Sequence, residues 1–281
     1  MEKISQKNND LENFLYNQKK QKEQYQLSDS DIADIKLGLP DKKYYEFAYY
    51  MYYQNKHLNL ETEYNKWQSW DEWDYPVYDL FRFNLIVLQN KKHFSNKNIL
   101  DLGSNLGYFS LFSLYSGCKN VKGIDVRSSK LEISKFICKK AGYTNFSFEE
   151  KNINDFALLD TTLKDIDTIL CLGLIYHVSN HYQLLTQLTN SKASCIIIDN
   201  SEQPEYVKSG YPHIHWKFDD LTGEDGKMRG YMKDKDKVLV GKPNQAWIDV
   251  AMTELGWNKQ KVEYYKTINS TGPRVCSVFT R

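Results

Sequence analysis

The chain has 281 residues, of which 41% are hydrophobic and 26% are charged, and its formal net charge is +1. This length suits one large domain or one domain with an extension, and the near-zero charge excludes a broad basic surface for nucleic acid, leaving only a local basic patch open. The cysteines are scattered without a C-x-x-C pair, which disfavours a disulfide framework and a zinc knuckle. No apolar run approaches membrane-spanning length, which disfavours a membrane span. A cytoplasmic location is therefore expected.

The first 95 residues are predicted to form a helical N-terminal extension. Residues 1–40 are polar and are expected to be solvated. Residues 44–83 are rich in tyrosine and tryptophan, whose rings combine an apolar body with a polar tip. They are predicted either to pack as a helical layer on the edge of a sheet or to form a lid that faces a substrate, with Trp70 and Trp73 as candidate contacts. A helix is predicted over 77–91.

From residue 98 onward, short apolar runs alternate with longer amphipathic segments. Strands are predicted at 99–102, 121–125, 145–149, 166–172 and 195–199. Helices are predicted at 106–116, 128–141 and 179–189. This alternation predicts a doubly wound α/β domain over residues 96–281, with a parallel sheet and helices on both faces.

Residues 200–240 interrupt the alternation with a polar stretch that is rich in glycine and proline, and are predicted to be an insertion after the fifth strand. A helix is predicted to resume near Pro243, with the proline in its first turn. The chain is expected to end in a hairpin, with strands at 261–268 and 274–280.

The stretch Asn98–Ser110 joins a short apolar strand to an apolar helix through a turn bracketed by Gly103 and Gly107. Glycines let the backbone pass close to a ligand, and the start of the helix directs free N–H groups to the same place. Asp125 ends the next strand, eighteen residues after Gly107, where a carboxylate suits the two hydroxyl donors of a ribose. A dinucleotide site has the spacing G-x-G-x-x-G, whereas this turn has G-x-x-x-G with Asn105 at its middle.

This turn resembles motif I of the class I S-adenosylmethionine-dependent methyltransferases, in the variant with a central asparagine. The resemblance implies S-adenosylmethionine as cofactor and a seven-stranded sheet in the order 3-2-1-4-5-7-6, with the last strand antiparallel. It implies that Asp101 neutralises the methionine ammonium group, that Asp125 binds the ribose and that Val126 packs on the adenine. The further residues expected to line the cofactor are Gly103, Ser104, Asn105, Gly107 and Leu172. In the segment after the third strand, Asn152 with Ile153 or, alternatively, Asp155 would meet the adenine.

The fourth strand is followed by Gly173-Leu-Ile-Tyr-His177, which looks most like the group of carboxy-S-adenosylmethionine-dependent tRNA wobble-uridine enzymes. Two arginines typically follow in that group, whereas this chain has Val178 and Ser179. His177 is the candidate general base, because imidazole titrates near neutral pH, or else a residue that positions the loop. Tyr176 would either donate a hydrogen bond to the substrate or pack.

The candidate substrate contacts in and beside the insertion are Asn200, Glu202, His213 and His215. The residues that could most readily form a metal site are His213 and His215 with Asp219 and Asp220, but no metal is expected. The favoured function is transfer of a methyl group to an oxygen or nitrogen of a small molecule such as a sugar, amine or amino-acid derivative. The alternatives are methylation of RNA, which the low net charge disfavours, a non-catalytic cofactor-binding protein and, more distantly, a dehydrogenase. The sequence indicates no oligomeric state.

Overall fold

The computed structural model describes residues 82, 85–155, 161–202, 210–220, 237–265 and 274–281. Gln89–Arg281 forms one compact unit, and of the preceding unit, Met1–Leu88, only residue 82 and residues 85–88 are described. The predicted polar N-terminus and the aromatic segment with Trp70 and Trp73 lie outside the described residues. Of the predicted helix over 77–91, residues 77–81, 83 and 84 also lie outside them, residues 82, 85 and 86 are helical, and Leu88–His93 is a 3-10 helix with a kink at Asn90.

Nine strands form two sheets among the described residues. They are β1 (Asn98–Leu102), β2 (Asn120–Asp125), β3 (Phe146–Glu150), β4 (Thr168–Leu172), β5 (Cys195–Ser201), β6 (Ile214–Asp220), β7 (Lys237–Pro243), β8 (Asn258–Tyr265) and β9 (Arg274–Thr280). The larger sheet has seven strands in the order β3-β2-β1-β4-β5-β9-β8. The first five are parallel, and β9 runs antiparallel to both of its neighbours. The predicted strand order and the antiparallel last strand are therefore confirmed.

The central strands form because their side chains are apolar on both faces, as a parallel sheet covered by helices requires. In β5, Ile196, Ile197 and Ile198 are all fully buried. In β1, Ile99, Leu100 and Leu102 are buried to the same degree. These strands therefore form the core, and their carboxyl ends are held rigidly enough to position a site.

Four α-helices of the described residues cover the sheet or lie beside it. They are α1 (Tyr108–Tyr115), α2 (Ser128–Lys140), α3 (His181–Thr189) and α4 (Gln245–Glu254). The prediction that Pro243 lies in the first turn of the last helix is wrong, because Pro243 ends β7. Asn244 is the residue that caps α4, and its side chain accepts a hydrogen bond from the Trp247 N–H.

The predicted insertion at 200–240 contains regular structure that the sequence analysis did not predict. β6 and β7 pair in antiparallel register to form a two-stranded hairpin, with Trp216 opposite Gly241 and His215 opposite Lys242. The Gly241 N–H donates to the Val178 carbonyl at 3.2 Å, directly after the loop that follows β4. A Cβ atom on Gly241 would lie 2.6 Å from Cε1 of His181, so only glycine permits this close contact.

His181 anchors the hairpin from the first residue of α3. Its side chain is 2% exposed, and Nε2 donates to the Gly241 carbonyl at 2.8 Å. The ring also makes edge contacts with Trp216 and Trp247. Burial lowers the pKa of the His181 imidazole, and the hydrogen bond to the Gly241 carbonyl offsets part of that change.

This burial predicts a pH-dependent stability. The unfolded chain binds a proton at His181 more readily than the folded chain, so the free energy of unfolding falls as the pH drops below about 6.5. His181→Gln should therefore lose less stability than the unaltered protein between about pH 7.5 and about pH 5.5, measured by urea unfolding. His215→Gln, on β6, is the control for replacing a histidine of this part of the chain. An undiminished pH dependence in His181→Gln would contradict this role.

Candidate active site

The candidate site lies at the carboxyl ends of β1, β2, β4 and β5. After β1 the chain winds to one side of the sheet through β2 and β3, and then crosses to the other side to form β4 and β5. The connections therefore leave β1 and β4 in opposite directions and open a crevice, which is where α/β sheets bind ligands. Gly103, Asp125, Leu172 and Asn200, all predicted site residues, lie at this edge of the sheet.

The turn after β1 has a left-handed backbone at each of three positions. The φ angles are 65° at Gly103, 50° at Asn105 and 75° at Gly107. A Cβ atom on Gly103 would lie 2.9 Å from a methyl group of Leu174, and a Cβ atom on Gly107 would lie 2.7 Å from Cβ of Ser134 in α2. Gly103 therefore faces the loop after β4, whereas Gly107 allows α1 and α2 to pack. Asn105 replaces the middle glycine because asparagine tolerates this conformation better than other residues with a side chain.

Asn105→Gly should thus leave stability nearly unchanged, whereas Asn105→Val should lower the free energy of unfolding by about 1–2 kcal/mol. Thermal unfolding measures this difference. The Val variant should also weaken binding of S-adenosylhomocysteine in calorimetric titration. Asn96, which is exposed and has a φ of 56°, provides the control. Asn96→Val should lose similar stability with no change in ligand affinity, and a tolerated Asn105→Val would contradict the strain argument.

Asp125 ends β2 and is 4% exposed. Its Oδ1 accepts hydrogen bonds from the Arg127 backbone N–H at 3.0 Å and from Arg127 Nε at 2.9 Å. Its Oδ2 accepts from the Asn105 backbone N–H at 2.9 Å and from an Arg127 terminal nitrogen at 3.1 Å. The carboxylate predicted for the ribose is therefore tied both to the glycine-bracketed turn and to a guanidinium that the sequence analysis did not include.

The other predicted residues of the turn are largely buried. Asp101 is 3% exposed and accepts a hydrogen bond from the Ser110 hydroxyl in α1 at 2.7 Å. The Ser104 N–H donates to the Ile124 carbonyl at 2.9 Å, which ties the turn to β2. Ser104 Oγ is buried and has no hydrogen-bond partner among the residues that the structure describes. An unpaired buried hydroxyl is costly.

The predicted adenine contacts lie just beyond β3. The Lys151 N–H donates to the Asp125 carbonyl at 3.0 Å and brings this segment beside β2. The Asn152 side chain accepts from the Asn154 N–H at 3.0 Å, and the Asp155 N–H donates to the Asn152 carbonyl at 2.9 Å. Ile153 is buried in the apolar core. The turn thus brings Asn152 and Ile153 close to the end of β2, while their contact with adenine stays a prediction.

The loop after β4 carries Tyr176 and His177 on a short 3-10 helix, Ile175–His177. The two rings lie 4.5 Å apart, centroid to centroid. Arg274, from the start of β9, donates to the Tyr176 hydroxyl at 3.4 Å. Lys242 Nζ lies 5.7 Å from the centroid of the Tyr176 ring. Two cations that the sequence analysis did not include therefore flank the tyrosine.

Asp199 in β5 holds Arg274 in place. Its side chain is fully buried, and it accepts from an Arg274 terminal nitrogen at 2.9 Å and from the Tyr265 hydroxyl at 2.7 Å. The strand register brings the two residues near each other, because Arg274 of β9 pairs with Ser201 of β5, two residues along from Asp199. Gly173 has a φ of 69°, and its lack of a side chain leaves space for the Tyr176 hydroxyl. A Cβ atom on Gly173 would lie 3.2 Å from that hydroxyl. No local sequence pattern could have joined residues so far apart in the chain.

The predicted substrate contacts beside the insertion have structural partners. The amide of the fully buried Asn200 donates to the Pro243 carbonyl at 2.5 Å. Glu202 accepts from the Gln245 N–H at the start of α4, and burial raises the pKa of its carboxyl group. The His213 N–H donates to the Asn244 side chain at 3.1 Å. These three residues join β5, the hairpin and α4, and their contact with a substrate stays a prediction.

His215 lies on β6 directly opposite Lys242, so it shares the face of the hairpin that carries this lysine. Within the described ranges, no group of three or more His, Cys, Asp or Glu side chains could hold a metal ion. The same ranges contain no helix that is both long and apolar enough to cross a membrane. All five cysteines are buried free thiols.

A family model for a methyltransferase domain matches residues 93–265. The tRNA U34 carboxymethyltransferase of Campylobacter curvus is 29% identical over 132 residues, which are 47% of this chain and 38% of that protein. The enzyme of the same description from Dichelobacter nodosus is 28% identical over 134 residues, 43% of this chain and 40% of that protein. The matched part thus amounts to about two fifths of the length of these curated relatives.

Among solved structures, the chain is similar to magnesium protoporphyrin IX methyltransferase from Synechocystis PCC 6803 with bound S-adenosylmethionine. The TM-score is 0.54, with 13% identity over 82% of this chain and 96% of that chain. At such low identity, the likeness supports the fold of the sheet and says nothing of the acceptor.

Proposed function

Since this chain belongs to the methyltransferase domain family and S-adenosylmethionine is its cofactor, we propose that it methylates an oxygen or nitrogen of a small molecule that carries an acidic group. The observation that carries the proposal is the cluster at the end of β4, where Tyr176 and His177 lie beside the cations Arg274 and Lys242. The family match supports the enzyme class, and this cluster supports the acidic group proposed for the acceptor.

The turn after β1 fits the cofactor. Its bare backbone at Gly103 faces the loop after β4, and the unpaired hydroxyl of Ser104 lies in the same turn. We assign the methionine end to Asp101 and this turn, the ribose to Asp125, and the adenine to the segment around Val126 and Ile153. The bound cofactor supplies a methyl group that its sulfonium has already activated, so the protein mainly aligns and desolvates the reactants.

His177 is proposed to take the proton of the attacking hydroxyl or amine. It follows Tyr176 on the 3-10 helix that begins two residues beyond Gly173, in the loop after β4, the strand that pairs with β1. Imidazole accepts a proton near neutral pH, as a general base must. Tyr176, held by Arg274, would set the direction from which the acceptor enters.

Replacing His177 separates catalysis from binding. His177→Ala should lower kcat by about 10²–10⁴-fold, the usual contribution of a general base, while the affinity for S-adenosylhomocysteine stays within about threefold. Single-turnover rates and calorimetric titration measure the two quantities. Equal losses in rate and affinity would demote His177 to a residue that supports the loop.

Lys242 tests the acidic group of the acceptor. An ammonium that meets a carboxylate or phosphate adds binding energy of about 1.5–3 kcal/mol, so Lys242→Met should raise KM for the acceptor about 10-fold or more. Lys217→Met is the matched control, because Lys217 lies on the same face of the hairpin, in the cross-strand pair two steps along the ladder from the pair that contains Lys242. An acceptor found by isotope labelling of a lysate provides the substrate. Equal effects of the two variants would argue against a specific contact.

A second candidate function is transfer of a carboxymethyl group to tRNA. It is favoured by the similarity to tRNA U34 carboxymethyltransferases and by the cations beside Tyr176, which suit a carboxylate on the donor. The net charge of +1 opposes it.

Two measurements separate these functions. Incubation with bulk tRNA and either S-adenosylmethionine or its carboxy derivative shows which group is transferred, if any, by nucleoside mass spectrometry. Binding to tRNA would fall steeply with salt if phosphates are contacted. Transfer to tRNA from the carboxy derivative would replace the first proposal, and a lack of both binding and transfer would remove the second.

A further inference from the structure

We infer that the Arg127 guanidinium occupies the ribose position of the cofactor site in the free protein, and that the cofactor must displace it from Asp125 in order to bind. The inference deepens the proposed function, because it rests on the proposed role of Asp125. It makes Arg127 the residue that sets how strongly the site selects for an intact ribose.

The Asp125 carboxylate has a limited capacity to accept hydrogen bonds. A carboxylate offers about four lone-pair positions, two on each oxygen. Two positions receive the backbone N–H groups of Asn105 and Arg127, at 2.9 and 3.0 Å. The other two receive the Arg127 guanidinium, at 2.9 Å from Nε and 3.1 Å from a terminal nitrogen. The carboxylate is therefore saturated by donors from the protein.

The guanidinium presents to Asp125 what a ribose would present. Its Nε and terminal nitrogen donate in parallel, one to each carboxylate oxygen. The two adjacent hydroxyls of a ribose are also a pair of neighbouring donors. The backbone N–H groups belong to the turn and to the end of β2, so they stay in place and keep the carboxylate oriented. The guanidinium is the movable group, and it and the ribose compete for the same two lone pairs.

Burial makes this competition matter. Asp125 is 4% exposed and Arg127 is 7% exposed, so the ion pair is held away from water. Without a replacement donor, loss of the guanidinium would leave a buried charge unpaired, which is strongly unfavourable. The ribose replaces the two hydrogen bonds but not the positive charge. Part of the binding energy is therefore spent on breaking the pair, and the observed affinity is lower than the site would otherwise give.

The test measures binding of S-adenosylhomocysteine and its 2′-deoxy analogue by calorimetry. In the unaltered protein, hydrogen bonds from the ribose only replace those lost from Arg127, so the 2′-hydroxyl should add little to the affinity. The Kd values of the two ligands should therefore differ by less than about threefold. In Arg127→Gln, S-adenosylhomocysteine should bind about 10-fold more tightly, and its advantage over the 2′-deoxy analogue should rise to about 10-fold.

Lys130→Gln is the matched control, because it removes a cation from the first turn of α2 without touching the Asp125 carboxylate contacts described above. Lys130→Gln should leave both affinities unchanged. Weaker binding by Arg127→Gln, with the same ratio between the two ligands as in the unaltered protein, would overturn the inference, since Arg127 would then only position Asp125.

A second measurement uses the unaltered protein and guards against misfolding of the variant. Labelling with phenylglyoxal, mapped by mass spectrometry, reports the exposure of Arg127. Saturating S-adenosylhomocysteine should increase labelling at Arg127, because the guanidinium leaves the carboxylate. Unchanged or decreased labelling would overturn the inference and leave the proposed function standing. Failure of S-adenosylhomocysteine to bind the unaltered protein at all would overturn the proposed function, and this inference with it.

Discussion

The site depends on two buried carboxylates, each neutralised by an arginine. Asp125 at the end of β2 pairs with Arg127, and Asp199 in β5 pairs with Arg274. A buried carboxylate is stable only when charge and hydrogen bonds compensate its lost hydration, so each aspartate fixes the position of its arginine. The two pairs stand on opposite sides of the crevice, because β2 and β5 lie on opposite sides of β1 and β4 in the sheet.

The two pairs have different consequences. Asp125 also receives the Asn105 N–H, so the arginine, the carboxylate and the left-handed turn form one unit at the proposed ribose position. Asp199 receives Tyr265 and Arg274 but is itself fully buried, which leaves the far side of the guanidinium directed to Tyr176. The same pairing thus covers the carboxylate in one half of the crevice and, in the other half, fixes a guanidinium that donates to Tyr176.

Much of the sheet could be predicted from the sequence because its signals are local. The apolar runs of β1 and β5 and the glycine-bracketed turn are each only a few residues long, and Asp125 follows the turn by eighteen residues, at the end of the next strand. The identification of a class I S-adenosylmethionine-dependent methyltransferase rested on them and is confirmed by the family match over residues 93–265. The β6–β7 hairpin was missed because its strands are separated by residues 221–236 and because Gly241 and Pro243, both unfavourable in a strand, lie in β7.

The acceptor side could not be predicted in the same way, since its residues meet only through tertiary pairing. Tyr176 follows β4, Lys242 belongs to the inserted hairpin and Arg274 begins the antiparallel last strand. Lys242 lies beside Tyr176 because the residues just before it are fixed. Val240 is buried, and the Gly241 N–H donates a hydrogen bond to the Val178 carbonyl, directly after the loop that follows β4. Arg274 reaches it because β9 pairs with β5 in antiparallel register. A change in the hairpin would therefore alter the charge beside Tyr176 without touching β1, β2 or the turn between them, so the proposed donor contacts and the proposed acceptor contacts are physically separable in this chain.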